Sequence, residues 1–253
     1  MHPVLLRVGD YAVPSFWAAA LAGFVFGLLV IRAELRRRTL DVRLAYDITL
    51  WAYVGGWAGA RVFMIPTAWN QFSEHPLRFL TAASGWVWYG GVIGGAGAVL
   101  TWARRYQLSL MTIADVVAPA LAVGLAFGRL GCQLAGDGDY GVPTDLPWGM
   151  SYPDGVVPTA ERVHPAPLYE MAASAALFAW LWQRGRHHPP AGSQIGRYLI
   201  ATAIARFAIE FIRRNPAWLL GMTTAQWFSL ASLALGTLLV RRAPLAARIA
   251  ASR

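Results

Sequence analysis

Pro14-Ser15-Phe16-Trp17-Ala18-Ala19-Ala20-Leu21-Ala22-Gly23-Phe24-Val25-Phe26-Gly27-Leu28-Leu29-Val30-Ile31 runs without a charged side chain until Arg32 ends it. As a helix this run approaches the hydrocarbon thickness of a bilayer, and it is apolar on every face. Similar runs recur, giving about seven candidate spans at roughly 14–31, 47–66, 86–103, 112–130, 167–183, 197–212 and 222–240. The composition agrees: the 253 residues are 57% hydrophobic and 14% charged, with mean hydropathy +0.43. A soluble domain of this length needs a more charged surface. The fold expected is therefore all-α, a polytopic integral membrane protein of one domain covering 1–253, with no internal repeat. The amino terminus lacks an apolar core followed by a small-residue cleavage site, so the first span is expected to stay in the mature chain.

The net charge of +9 comes from arginine alone, since the sequence has no lysine. Nucleic-acid binders mix the two and lack such apolar runs, so the charge is assigned to topology and lipid headgroups rather than to nucleic acid. Fourteen arginines fall after spans one, three and five and in the C-terminal tail, against five on the opposite side: Arg7, Arg78, Arg162, Arg213 and Arg214. The positive-inside rule then makes the C-terminus cytoplasmic and the N-terminus external. The loop 131–166, with Asp137, Asp139, Asp145, Asp154 and Glu161, becomes an outer functional loop. Trp69, Trp86, Trp88, Trp148 and Trp218 fall near span ends as an aromatic belt. Glycine clusters at 55–59 and 90–95 suit close helix packing in lipid. The single cysteine, Cys132, excludes an internal disulfide.

Three arginines lie within or at the ends of spans: Arg61, Arg129 and Arg206. An arginine at the bilayer centre costs at least about 2.5–3.5 kcal/mol, so each needs a partner or a water-filled cavity. Arg61 and Arg129 end spans that run outward, where snorkelling is an alternative. Arg206 lies inside span six, and Arg206, Glu210 and Arg213 recur at helical spacing along one stripe. Two arginines and one carboxylate leave positive charge that suits a phosphate, which favours a phospholipid ligand over a purely structural ion pair. In the outer loop, Asp137 and Asp139 form an Asp-x-Asp pair without the remaining ligands of a calcium loop, so no metal is expected. His164, Tyr169 and Glu170 place an imidazole, a phenol and a carboxylate where span five begins.

With these residues in view, the chain resembles the prolipoprotein diacylglyceryl transferases, bacterial inner-membrane enzymes that begin lipoprotein maturation. The resemblance rests on Gly55-Gly56-Trp57-Ala58-Gly59-Ala60-Arg61, Tyr89-Gly90-Gly91-Val92-Ile93-Gly94 and Gly128-Arg129-Leu130-Gly131. It continues through Pro143-Thr144-Asp145-Leu146-Pro147-Trp148-Gly149-Met150, His164-Pro165 with Leu168-Tyr169-Glu170, and Arg206-Phe207 with Glu210-Phe211 and Arg213. Gly221-Met222-Thr223 with Gln226-Trp227-Phe228-Ser229 completes it. It implies seven spans, a site open to the periplasm and to lipid, and no metal or organic cofactor. It further implies transfer of the diacylglyceryl group of phosphatidylglycerol to the lipobox cysteine of a preprolipoprotein, with release of glycerol phosphate. Carried onto this chain, Arg129 and Arg206 would hold the phosphate while Glu210 and Arg213 orient it, with Arg61, Asp139, Tyr169 and Glu170 completing the substrate site.

The chain departs from the family at several polar positions. Tyr89 stands where the family has histidine, Cys132 and Ala135 where it has asparagines, Gly138 where it has glutamate, and Phe16-Trp17 where it has Tyr-Gly. A thiol near its reference pKa of about 8.5 loses its proton with modest help, while the leaving phosphate needs fixed positive donors. His164, Tyr89 or an aspartate of the loop such as Asp137 is expected to take the proton, because arginine cannot serve as the base. Cys132 is not expected to be the nucleophile, since the thiol belongs to the substrate. Two other readings stay open: a diverged member lipidating another acceptor, and a non-catalytic phospholipid-binding or transport protein.

Overall fold

A computed structural model describes residues 1–81 and 87–251; Trp86 and Arg253, counted above for the belt and the tail, lie outside them. Each of the seven apolar runs is a helix: α1 (Ser15–Arg37), α2 (Leu44–Val62), α5 (Trp88–Arg105), α6 (Leu110–Ala135), α7 (Ala166–Gly185), α8 (Ser193–Glu210) and α9 (Thr224–Ala251). Two short helices, α3 (Trp69–Glu74) and α4 (Pro76–Thr81), fill the interval between α2 and α5. By length and composition, α1 and α6 are the described helices able to cross a membrane.

The all-α expectation needs one correction. Two antiparallel hairpins are present, β1 (Val4–Val8) with β2 (Tyr11–Pro14), and β3 (Met150–Tyr152) with β4 (Thr159–Val163). Their strands are too short to stand out as alternating patterns beside the apolar runs.

The distribution of apolar side chains is that of a protein in lipid. On α1, Leu21, Phe24, Phe26 and Leu29 are exposed, whereas Gly23, Gly27, Val30 and Ile31 are buried. Both faces of the helix are apolar, so the outward one needs a hydrocarbon surround. The basic residues Arg36 and Arg37 in its last turn complement the helix dipole.

The chain forms two compact units, Thr39–Ile113 on one hand and Met1–Arg38 with Ala114–Arg253 on the other. In the first, α2 and α5 touch backbone to backbone. A Cβ on Gly59 would stand 2.3 Å from the Gly90 carbonyl oxygen, and one on Gly94 would stand 2.3 Å from that of Gly55. The predicted packing role of these glycines is thus literal, since any side chain there would force the helices apart.

In the second unit, α8 and α9 meet at Gly196 and Gly236, where a Cβ on Gly236 would lie 2.6 Å from the Gly196 carbonyl. The start of α8 is held by a carboxylate from α6: buried Asp115 accepts the backbone N–H of Gly192 at 2.9 Å and of Ile195 at 2.8 Å. These are donors that a helix start leaves unpaired. Nearby, buried Glu34 pairs with Arg37 at 2.6 Å, and the Arg37 guanidinium lies 3.4 Å over the Trp182 ring.

Candidate active site

Four helix ends supply the side chains of a polar cluster in the second unit. Arg129 lies in the last two turns of α6, Glu170 in the first turns of α7, Arg206 and Glu210 in the last turns of α8, and Thr223 just before α9. The loop after α6 adds Asp139. Helix α8 stops at Glu210, so Arg213 sits in the turn beyond it, its N–H bonded to the Glu210 carbonyl at 3.2 Å. The stripe read as purely helical is therefore two helical residues and one from the following turn.

Glu170 is the centre of the group. Its Oε2 meets Arg129 Nε at 2.5 Å and Arg213 Nη1 at 3.9 Å, and its Oε1 accepts from Arg206 Nη1. Glu210 Oε2 faces Arg206 Nη2 at 2.8 Å and Arg213 Nε at 3.9 Å. Asp139 accepts from Arg129 through Oδ2, and from Arg213 Nη2 through Oδ1 at 2.6 Å. Arg213 Nη1 also donates to the Asp139 carbonyl at 2.9 Å. Three guanidinium groups thus interlock with three carboxylates. The surplus positive charge expected of span six disappears once Glu170 and Asp139 join it, which corrects the charge argument. What remains for an incoming anion is unused guanidinium N–H donors, since each arginine carries five.

Exposure separates the arginines. The Arg206 side chain is 28% exposed and that of Arg129 18%, against 7% for Arg213. The first two can reach a ligand, while Arg213 is enclosed by the groups it holds.

The loop is stitched to the turn after α8 by its backbone. Val142 N–H donates to Ile212 O at 2.8 Å, and Gly141 N–H to His164 O at 2.8 Å. Gly141 leaves no room for a side chain there, because a Cβ would stand 2.3 Å from the Ile212 oxygen. Behind it, Tyr140 stacks on Tyr152, whose hydroxyl donates to Gln133 Oε1 at 3.0 Å.

Electrostatics divide the two loop aspartates. Burial alone would raise the Asp139 carboxyl, but Arg129 and Arg213 outweigh it and hold the group below its ordinary 3.8. Asp137 is pushed up, first by burial, with the charge of Asp139 adding to the shift. One oxygen of Asp137 accepts the Asp139 N–H at 3.3 Å. Ligand atoms of Cys132, Asp137 and Asp139 lie within 4.8 Å of one another. Both oxygens of Asp139 already hold guanidinium groups, so a cation there would meet Arg129 and Arg213.

The remaining predicted residues are placed as follows. His164 Nδ1 lies 3.3 Å from the Tyr169 hydroxyl, which also accepts the indole N–H of Trp148 at 2.8 Å. Arg61, 1% exposed at the end of α2, and Tyr89, half-buried in the first turn of α5, belong to the Thr39–Ile113 unit. Asn215 was missed: its amide donates to Glu210 Oε1 at 2.7 Å. Thr223 and Gln226 were noted without a role; their Thr-x-x-Gln spacing is a capping-box signal.

Lipid-facing apolar helices that carry a cluster of interlocked arginines and carboxylates at their ends define a membrane protein with a partly buried charged site. A family model described as prolipoprotein diacylglyceryl transferase matches residues 3–242, across both units. The chain is 30% identical to the phosphatidylglycerol–prolipoprotein diacylglyceryl transferase of Synechococcus elongatus, over 93% of this chain and 85% of that one. It is 34% identical to the enzyme of that name from Nitrosomonas europaea, over 94% and 88% respectively. The corresponding protein of Polynucleobacter asymbioticus is 32% identical, over 95% of each chain. The chain belongs to the prolipoprotein diacylglyceryl transferase family.

Proposed function

We propose that this protein is the membrane transferase that moves the diacylglyceryl group of phosphatidylglycerol onto the lipobox cysteine of preprolipoproteins. The observation that carries the reading is the arginine cluster around Glu170, with Arg129 and Arg206 the more exposed of its three cations. The finer topology belongs to the same proposal: seven spans in the bacterial inner membrane, with the N-terminus periplasmic and the C-terminus cytoplasmic.

In the reaction, the substrate sulfur bonds to C3 of the glyceryl unit as the C3–O bond to phosphate breaks, and glycerol phosphate leaves carrying the electron pair. Arg129 and Arg206 donate to the phosphate oxygens, where charge grows as that bond breaks. Arg213, Glu210, Glu170 and Asp139 hold the two guanidinium planes in place. The thiol proton passes to a base, for which Asp137 is the leading group, because burial raises its carboxyl and its proton affinity. His164, whose Nδ1 faces the Tyr169 hydroxyl, is the other base on this side.

The test uses the purified full-length protein with phosphatidylglycerol and a lipobox peptide, following both glycerol phosphate and lipidated peptide. Equal amounts of both products are expected. Arg206→Lys keeps the charge but loses the planar fork, and should lower kcat/KM for phosphatidylglycerol by about 10- to 100-fold. Glycerol phosphate without peptide product would point to another acceptor, and no turnover at all to a binding or transport protein.

A further inference from the structure

The most exposed arginine of the cluster is aimed by Glu210, and Glu210 is itself held from the start of α9. Its Oε1 accepts the Thr223 hydroxyl at 2.7 Å and the Asn215 amide at 2.7 Å. That leaves Oε2 turned to Arg206 Nη2 at 2.8 Å. Thr223 does not choose this bond freely. Its oxygen accepts the N–H of Gln226 at 3.3 Å as a helix cap, and Gln226 Oε1 accepts the Thr223 N–H at 3.0 Å in return. A hydroxyl has one proton, so with its oxygen engaged by the cap, that proton is directed at Glu210. Thr223, Gln226 and Glu210 are 8%, 4% and 3% exposed, so water does not compete for these bonds.

A cap made only to begin a helix needs the oxygen of Thr223, not its proton. Ser, Thr, Asp and Asn all cap by accepting N–H groups. Here the proton is used as well, on a carboxylate that in turn orients an arginine. The loop before the cap is fastened to present it: Trp218 N–H donates to Met222 O at 2.8 Å, and the Trp227 indole to Leu219 O at 3.1 Å.

We infer that Thr223, locked by Gln226, is a positioning residue for phosphatidylglycerol recognition, acting through Glu210 to orient the Arg206 guanidinium toward the headgroup phosphate. The inference rests on the proposal that the arginine cluster receives that phosphate. It assigns the start of α9 a part in lipid specificity and none in peptide binding.

Thr223→Asp separates this role from capping, because aspartate caps a helix well but sets a negative oxygen against Glu210 where a proton stood. The experiment measures KM for phosphatidylglycerol and for the lipobox peptide separately, with full-length Thr223→Asp, Thr223→Val and Thr223→Ser beside the parent chain. Thr223→Asp and Thr223→Val should raise the phosphatidylglycerol KM by about tenfold or more, the loss expected for a hydrogen bond to a charged group, with the peptide KM unchanged. Thr223→Ser, which restores the proton, should return the parent value. Should Thr223→Asp fail to fold, Thr223→Val, which keeps the shape but removes both the proton and the cap oxygen, is read by the split between the two KM values, since loss of the cap alone would not single out the lipid. A parental phosphatidylglycerol KM in Thr223→Asp or Thr223→Val overturns the inference, as does an equal rise in both KM values. Arg206→Lys, run alongside, tells the two readings apart. If it raises the lipid KM while the Thr223 variants do not, the inference alone falls; if it too is parental, the headgroup assignment falls with it.

Discussion

Glu170→Gln is the substitution that tests the cluster most directly. The carboxylate is 6% exposed and meets Arg129 Nε at 2.5 Å, Arg206 through its other oxygen, and Arg213 at 3.9 Å. At an effective dielectric near 20, each of the two close contacts is worth about 4 kcal/mol at 4 Å separation. Against that stands the several kcal/mol that desolvating a carboxylate costs, which glutamine does not incur. Glutamine also keeps one acceptor oxygen, while the arginines retain Asp139 and Glu210. The balance is a loss of about 3 kcal/mol, at the low end of what removing one partner from a buried pair costs. For a chain of this size that corresponds to a fall in melting temperature of roughly 6–12 °C. Thermal unfolding of the detergent-solubilised protein measures it, with Glu161→Gln as control. The Glu161–Arg214 pair is 66% and 41% exposed, and losing it should cost about 0.5 kcal/mol or less. If Glu170→Gln melts with the parent chain, the carboxylate does not hold the arginines and the account of the site fails.

Other expectations follow from single residues. The raised carboxyl of Asp137 predicts an acid limb in the pH–rate profile above its ordinary 3.8, with activity appearing as the group loses its proton. The same raised affinity favours the folded state below 3.8 and is lost as pH rises through the folded value, so Asp137→Asn should remove the acid limb and flatten stability over that interval. Cys132→Ser should turn over within about threefold of the parent, because the reacting thiol is the peptide's; loss of all activity would reopen the enzyme's own cysteine as a nucleophile. Gly94→Val should lower the yield of folded protein, since even its Cβ would stand 2.3 Å from the Gly55 carbonyl oxygen. Normal accumulation with an unchanged melting curve would show that α2 and α5 need no such contact.

The helices were legible because lipid imposes long uncharged runs, and the segments around 14–31 and 112–130 became α1 and α6 with ends shifted by a few residues. The Arg206–Glu210 pair was legible too, being one helical turn apart. What the sequence concealed was partnership across distance. Nothing local in Leu168-Tyr169-Glu170 says that Glu170 meets three arginines, so the charge of span six was read without its counterweights. Asp139 looked like half of an Asp-x-Asp pair, and only the loop's path sets it between Arg129 and Arg213 while Asp137 meets neither requirement in the same way. Thr223 and Gln226 carried a readable capping signal, but a cap is sufficient explanation for that spacing until Glu210 is seen beside it. The β3–β4 hairpin was hidden in a segment rich in glycine, proline and aspartate, where strands this short leave little pattern.

Asp115 gives the site a geometry that its own residues do not. From Asp115 to Arg129 along α6 is about 21 Å, and from Ser193 to Arg206 along α8 about 20 Å, at the helical rise per residue. The two helices are therefore rails of equal length, tied at one end by the Asp115 carboxylate across the start of α8 and at the other by Glu170 bridging Arg129 and Arg206. Rails tied at both ends can neither splay nor slide, so the spacing of Arg129 and Arg206 is set in part by a carboxylate about 20 Å away along both helices.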